Sequence, residues 1–167
     1  MGNIRNSGIK IPKVLVPRED IKMEKWSVVA CDQFTSQPEY WHEVEEIVGG
    51  APSMLHMILP EVYLNADNVE ESIADTKNTM KEYINEGILE QLPEGVVLTQ
   101  RDFGTVTRKG IMLCVDLEKY HYDITRKPLV RATEKTLLER IPPRVRIREG
   151  ALLEAPHIMV LMDDPED

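Results

Sequence analysis

Residues 27–31 (SVVAC) run apolar without a break, the pattern of a short buried strand. The chain then turns through a polar corner, Cys31-Asp32-Gln33-Phe34-Thr35-Ser36, into an amphipathic stretch. Ser36 and Glu39 have the spacing of a capping box, which predicts a helix running to about Val48 and stopping at Gly49-Gly50. Glu39, His42, Glu43 and Glu46 fall on one side of that helix. Tyr40, Trp41, Val44, Ile47 and Val48 fall on the other. Before this stretch, Ile9, Ile11, Val14, Leu15 and Val16 predict extended pieces punctuated by Pro12 and Pro17, and residues 18–25 read as a polar connector.

Residues 53–59 (SMLHMIL) are strand-like and close at Pro60. Asp67 and Glu70 predict a second capped helix, with Val69, Ile73, Met80, Tyr83 and Ile84 as its apolar stripe and Gly87 as its stop. Residues 96–103 and 108–117 alternate as an antiparallel pair joined near Gly104, and apolar residues on both faces of the second predict a doubly covered strand. Residues 118–125 read as a connector and 129–131 as a short strand. Thr133 caps a predicted short helix, 134–141, which Pro142-Pro143 ends. Residues 157–162 form a last apolar strand before acidic turn residues.

These elements predict a mixed α+β chain: a mostly antiparallel or mixed sheet, with two main helices and one short helix packed on it. Its 167 residues suit a single domain, 1–167. A buried strand is ordinarily covered by further chain, so the apolar ending predicts the N-terminal part of a longer protein. Left bare, the same strand predicts self-association.

Composition changes this picture little. The chain is 42% hydrophobic and 29% charged, and its low aromatic content of 5% predicts an aliphatic core. No apolar run approaches the ~20 residues that span a bilayer, and the start carries no secretory h-region. Asn6 stands where myristoylation wants Ser or Thr. Cys31 and Cys114 lie far apart in apolar runs, which predicts reduced core thiols and a cytoplasmic setting.

Charge is more informative. Residues 126–148 hold eight Lys/Arg against two Asp/Glu, while the rest of the chain, at net -9 overall, holds twelve against twenty-seven. An acidic chain with one basic segment repels phosphate polymers, which argues against nucleic acid and leaves a small anionic or phosphorylated ligand as the candidate partner. The plainer alternative is a solvated face balanced by neighbouring carboxylates.

Phosphate-binding glycine loops, zinc-protease motifs and the nucleophile elbow are absent from the sequence. Three constellations remain. At the polar corner, Asp32 and Ser36 sit where free amides would gather, suited either to an anion or to plain capping. Cys31 there is conceivable as an activated thiol only with a nearby base, and no His lies close in sequence. In the basic segment, Arg131, Arg140, Arg144, Arg146 and Arg148 offer guanidinium forks, Thr133 and Thr136 hydroxyls, and Glu134 a general base or orienting carboxylate. Arg131 and Arg140 read equally well as ligand-binding and as structural, and Arg146 and Arg148 read as partners of structural carboxylates. Asp163-Asp164 could ligate Mg²⁺ but reads better as a turn, so no metal ligands are assigned.

The segments WSVVACDQFTSQPEYW, SMLHMILPEVYL, RKGIMLCVDLEKY and RATEKTLLERIPPRVRIREGALLEAPHIMVLMDDP, in that order and spacing, resemble the prokaryotic family known as domain of unknown function 1015. The resemblance runs from about Ile9 to Asp164. Members of that family are sometimes labelled similar to the ParB/SpoOJ group, whose folds bind nucleotides and in a few relatives phosphorylate free serine. The resemblance thus implies a longer protein, with the Gly-Asn-His or Gly-His-His motif beyond Asp167. It also matches Glu134, Thr136 and Arg140 to a His-Glu-x-Thr element, with Thr133 in place of the His, so a role for that His does not carry over.

Two readings follow. In one, the chain is a nucleotide- or phosphate-binding module of a phosphotransfer enzyme acting on a small polar metabolite, with nucleotide or Mg²⁺ as candidate cofactors. In the other, it is a non-catalytic sensing or assembly domain. A DNA-associated, ParB-like role is the weaker third, and the sequence leaves open whether the chain is an enzyme at all.

Overall fold

The structure, a computed structural model, describes residues 8–126, 128, 130–131, 138–155 and 158–162. The chain forms two compact units. One is Met1–Val16 with Glu90–Leu137, and the other is Pro17–Leu89 with Leu138–Asp167. The mixed α+β class is observed. Among the described residues, the strands form two-stranded pairs.

In the first unit β1 (Ile9–Lys10) pairs antiparallel with β6 (Cys114–Val115), joining Ile9 to Val115 and Lys10 to Cys114. β4 (Val97–Phe103) and β5 (Val106–Met112) make the antiparallel hairpin that the alternation predicts, turning at Gly104, where φ is +59°. Glycine takes that left-handed conformation without steric penalty. Among the described residues the hairpin has no third strand beside it, and every β5 residue before Met112 is exposed, so the expectation that its second strand is covered on both faces fails. The segment read as a connector holds β7 (Tyr120–His121), which runs parallel to β8 (Val130–Arg131). β2 (Leu15–Pro17) pairs with β3 (Leu89–Gln91).

The second unit is helical. α1 (Met23–Trp26) is followed by residues 27–30, which are not a strand. Only Val28 and Cys31 of that apolar run pack on the core, three positions apart, while Ser27, Val29 and Ala30 are exposed. A period of three buries one edge of a loop, and a strand would bury alternate residues. α2 (Pro38–Val48) starts later than predicted. Its N-cap is Gln37, no side chain caps it, and Gly49 ends it. The Ser36–Glu39 box therefore does not form, and Ile47 is exposed rather than core.

Residues 53–59 are also not a strand. Met54–Met57 wind into a 3₁₀ turn capped by Ser53, whose hydroxyl oxygen accepts from the Leu55 amide at 3.2 Å. Local side-chain capping of this kind competes with strand pairing. A second short turn, Glu61–Tyr63, follows Pro60. α3 (Val69–Asn85) is the predicted long helix, with Asn68 as its N-cap instead of Asp67 and Gly87 beyond its end at φ +66°. Ile73, Met80 and Tyr83 are buried along the predicted stripe.

α4 (Ile141–Arg148) reverses one expectation. Pro142 and Pro143 open this helix instead of ending one, because the first-turn amides have no intrahelical partner and their loss costs nothing. Residues 158–162 are exposed and carry no strand.

Trp41, Val48, Leu55 and Ile58 form one core cluster of this unit, and Leu59, Leu64 and Ile73 another that Ile147 of α4 joins. Trp41 is wholly buried, a site where truncation to Ala costs about 3–5 kcal/mol. A polar network threads the core. Ser53 donates its amide to the Tyr83 hydroxyl at 3.0 Å and its own hydroxyl to the Trp26 carbonyl at 3.3 Å. His56 Nδ1 lies 2.9 Å from the Tyr83 oxygen.

Candidate functional site

The polar corner is built on an unusual backbone. Phe34 has φ +52°, and no other described non-glycine residue has positive φ. A bulky residue there is a steric outlier. What holds it is the ring: Phe34 stacks on Tyr40 of α2 with centroids 3.9 Å apart and planes 18° off parallel. Gln33 donates its amide to the Ala30 carbonyl and Gln37 to that of Phe34, closing two successive turns. Asp32 and Ser36 are both exposed on the outside of this corner, where Gln33 Nε2 donates to Asp32 Oδ1 at 3.3 Å.

Beneath the corner lies a buried acid. The Glu61 amide donates to the Cys31 carbonyl at 2.8 Å, tying the turn after Pro60 to the corner. The Glu61 side chain is only 7% exposed, and its Oε2 accepts from Arg144 Nη2 at 2.6 Å. The field of Arg144 reaches the Cys31 thiol as well, yet burial outweighs it and pushes that thiol up from its ordinary value. That direction agrees with setting aside an activated thiol at Cys31, since thiolate character needs a net electropositive, open setting. Cys114 is exposed rather than a core thiol, and both cysteines are free.

The basic segment thus reaches the corner through Arg144. The other arginines of α4 are structural, as expected: Arg146 pairs with Glu70, and Arg148 with Glu154 at 2.8 Å. Arg131 is exposed at the end of β8, in the first unit, in register beside His121. His121 Nδ1 accepts from the Asp123 amide at 2.9 Å. Glu134 and Thr136 lie outside the described residues, as do Asp163 and Asp164. Arg140 closes a 3₁₀ turn, Leu138–Arg140, and its side chain is not among those described.

His42 faces solvent as expected, 3.3 Å from Glu45. Among the described residues no group of three His, Cys, Asp or Glu could hold a metal ion, and no helix is long and apolar enough to cross a membrane.

A family model described as Protein of unknown function (DUF1015) matches residues 15–167. The chain belongs to the DUF1015 family. No curated protein and no solved structure matches this DUF1015 chain.

Sequence reasoning placed Arg144 among the forks of the basic segment, but missed Glu61 and the pair the two make beneath the corner of the DUF1015 chain. A faint signal exists for each. Glu61 directly follows the apolar run and its closing proline, and Arg144 falls three residues from Ile147 on the face that packs. Phe34, an aromatic residue amid five polar or small neighbours, was the visible mark of the corner's strain.

Proposed function

We propose that the protein is a binding module for a small anionic ligand, a phosphorylated metabolite or nucleotide, held at the corner of residues 31–36. The binding serves phosphoryl transfer involving a small polar metabolite, in the manner of a ParB-like enzyme. The observation that carries the reading is Arg144: a guanidinium less than half exposed, anchored by buried Glu61, with its field felt at Cys31. A pre-oriented fork of this kind takes a phosphate or carboxylate with little further ordering. Strained backbone such as that of Phe34 accompanies ligand-holding corners.

The test is thermal stabilisation of the full chain by inorganic phosphate, phosphoserine and ATP in turn. At least one raises the melting temperature, and Arg144→Gln removes the ligand-dependent rise whatever it does to the unliganded midpoint. No rise with any of the three, or an unchanged rise in the variant, refutes the reading.

A second reading, assembly, is favoured by one observation. Ile158, Met159, Val160, Leu161 and Met162 are each between 56% and 78% exposed, a run of apolar side chains turned to water. It predicts concentration-dependent sedimentation that Leu161→Asp abolishes. A monomer at all concentrations counts against it.

A further inference from the structure

The helical unit holds a cleft of about 290 Å³ between the segment leading into α1 and the loop after α2. Its lining shares no residue with the corner. Ile21, Ala51 and Pro52 give it half-buried apolar walls, and Asp20, Lys22 and Lys25 give it charge. Both sides are held in place. Lys25 Nζ donates to the Val48 carbonyl at 3.4 Å, at the C-terminal end of α2, where free carbonyls favour a cation. The Ile21 amide donates to the Arg18 carbonyl at 3.0 Å, and buried Ser53, next to Pro52, donates its hydroxyl to the Trp26 carbonyl.

The charges of the cleft do not balance. Arg18 grips Asp20 through both carboxylate oxygens, Nε to Oδ1 at 2.5 Å and Nη2 to Oδ2 at 3.0 Å, and holds that carboxyl below its usual range. The acid is thus already paired. Lys25 uses one of its three ammonium donors on Val48 and keeps two. Lys22 is exposed and meets no acceptor among the described residues. Two lysines therefore border the cleft with donors to give, in a chain whose net charge is -9.

We propose that this cleft binds a small aliphatic monocarboxylate. Its carboxylate meets Lys22 and Lys25, and its hydrocarbon chain lies on Ile21, Ala51 and Pro52. The volume falls at the small end of the ~300–1,000 Å³ range of small-molecule sites, which suits a small metabolite better than a peptide or a nucleotide. A phosphate fits less well. It brings a second charge towards Asp20, and the apolar walls leave its additional oxygens without partners. This site differs from the corner in both ligand and residues, and neither reading rests on the other.

The experiment uses the full chain, labelled with ¹⁵N, and follows backbone amide shifts during titration with hexanoate. The amides of residues 20–22, 25 and 51 shift together and saturate. Acetate, which keeps the charge and loses the chain, binds at least about tenfold more weakly. Hexanol, which keeps the chain and loses the charge, binds about fivefold more weakly. Lys22→Gln lowers hexanoate affinity about fivefold, and Lys22→Arg, which keeps the charge, lowers it less. Ala51→Leu fills the cleft and abolishes the saturable shift. The inference is overturned by the lack of a saturable shift at these residues, by hexanol binding as tightly as hexanoate, or by unchanged affinity in Lys22→Gln. Tighter binding of inorganic phosphate at the same amides overturns it too, as do hexanoate shifts centred on residues 31–36.

Discussion

Arg144→Ala should destabilise the helical unit far more than its half-buried position on α4 suggests. The arginine side chain is 42% exposed, but the carboxylate it meets is 7% exposed. Removing one partner of a fully buried pair costs about 3–5 kcal/mol, because the remaining charge is stranded away from water. Here half the pair is open to solvent, which brings the expected loss to about 2–3 kcal/mol. With a urea slope of about 1–3 kcal/mol per molar, the midpoint falls by between about 0.7 and about 3 M. Trp26 and Trp41 are both buried in this unit, so intrinsic fluorescence reports the transition directly. Two controls isolate the cause. Arg146→Ala breaks a pair whose side chains are 43% and 66% exposed, and should cost about 1 kcal/mol or less. Glu61→Gln combined with Arg144→Ala removes the stranded charge, and should recover at least about 1 kcal/mol of the single-variant loss. If Arg144→Ala costs no more than Arg146→Ala, or if the combined variant is as unstable as the sum of its parts, the buried-acid reasoning is wrong.

Three further predictions follow from the local geometry. Burial holds His56 below its ordinary pKa of 6.5, against the opposing charge of Glu45. The unfolded chain therefore takes up the proton first, and stability falls as pH drops below about 6.5 through the folded value. Urea midpoints at pH 7.5 and 5 should diverge more for wild type than for His56→Gln, and equal divergence removes His56 as the cause. At the corner, Phe34→Ala loses the Tyr40 stack and keeps the left-handed backbone, whereas Phe34→Gly also relieves it. Phe34→Gly should thus be the more stable of the two by about 1 kcal/mol in the same fluorescence assay, and the reverse order would show that the backbone is not strained. On the hairpin, a Cβ at Gly110 would sit 2.7 Å from Thr99 Oγ1. Gly110→Ala should speed amide exchange along residues 97–112, and adding Thr99→Ala should slow it again. No rescue means the clash is not with Thr99.

The long helix and the hairpin were legible because their signals are periodic and local. The stripe from Val69 to Tyr83 repeats at helical spacing, and the residues around Gly104 alternate on either side of a turn. The apolar runs at 27–31 and 53–59 misled for the opposite reason. Short apolar runs have no period long enough to separate a strand from a buried turn, and here Ser53 caps the local alternative. Pro142-Pro143 carried the same ambiguity, since a proline pair suits the start of a helix as well as the end of one. Of the candidate site, Asp32 and Ser36 lie exposed at the corner before α2, and the capping chemistry assigned to Ser36 belongs to no side chain at all.

By itself, then, the sequence determined the family, the mixed α+β class, the stripe and stop of α3, and the antiparallel hairpin with its turn at Gly104. Each is written in nearest neighbours or in spacings of two to four residues, where the backbone's own geometry does the reading. Only the tertiary structure decided that Glu61 is the buried acid, that Arg144 is the arginine it meets, and that Arg101 and Arg108 share one aromatic ring. Those facts depend on which faces meet across packed elements, and charge pairing between distant residues leaves no period in the chain to announce it.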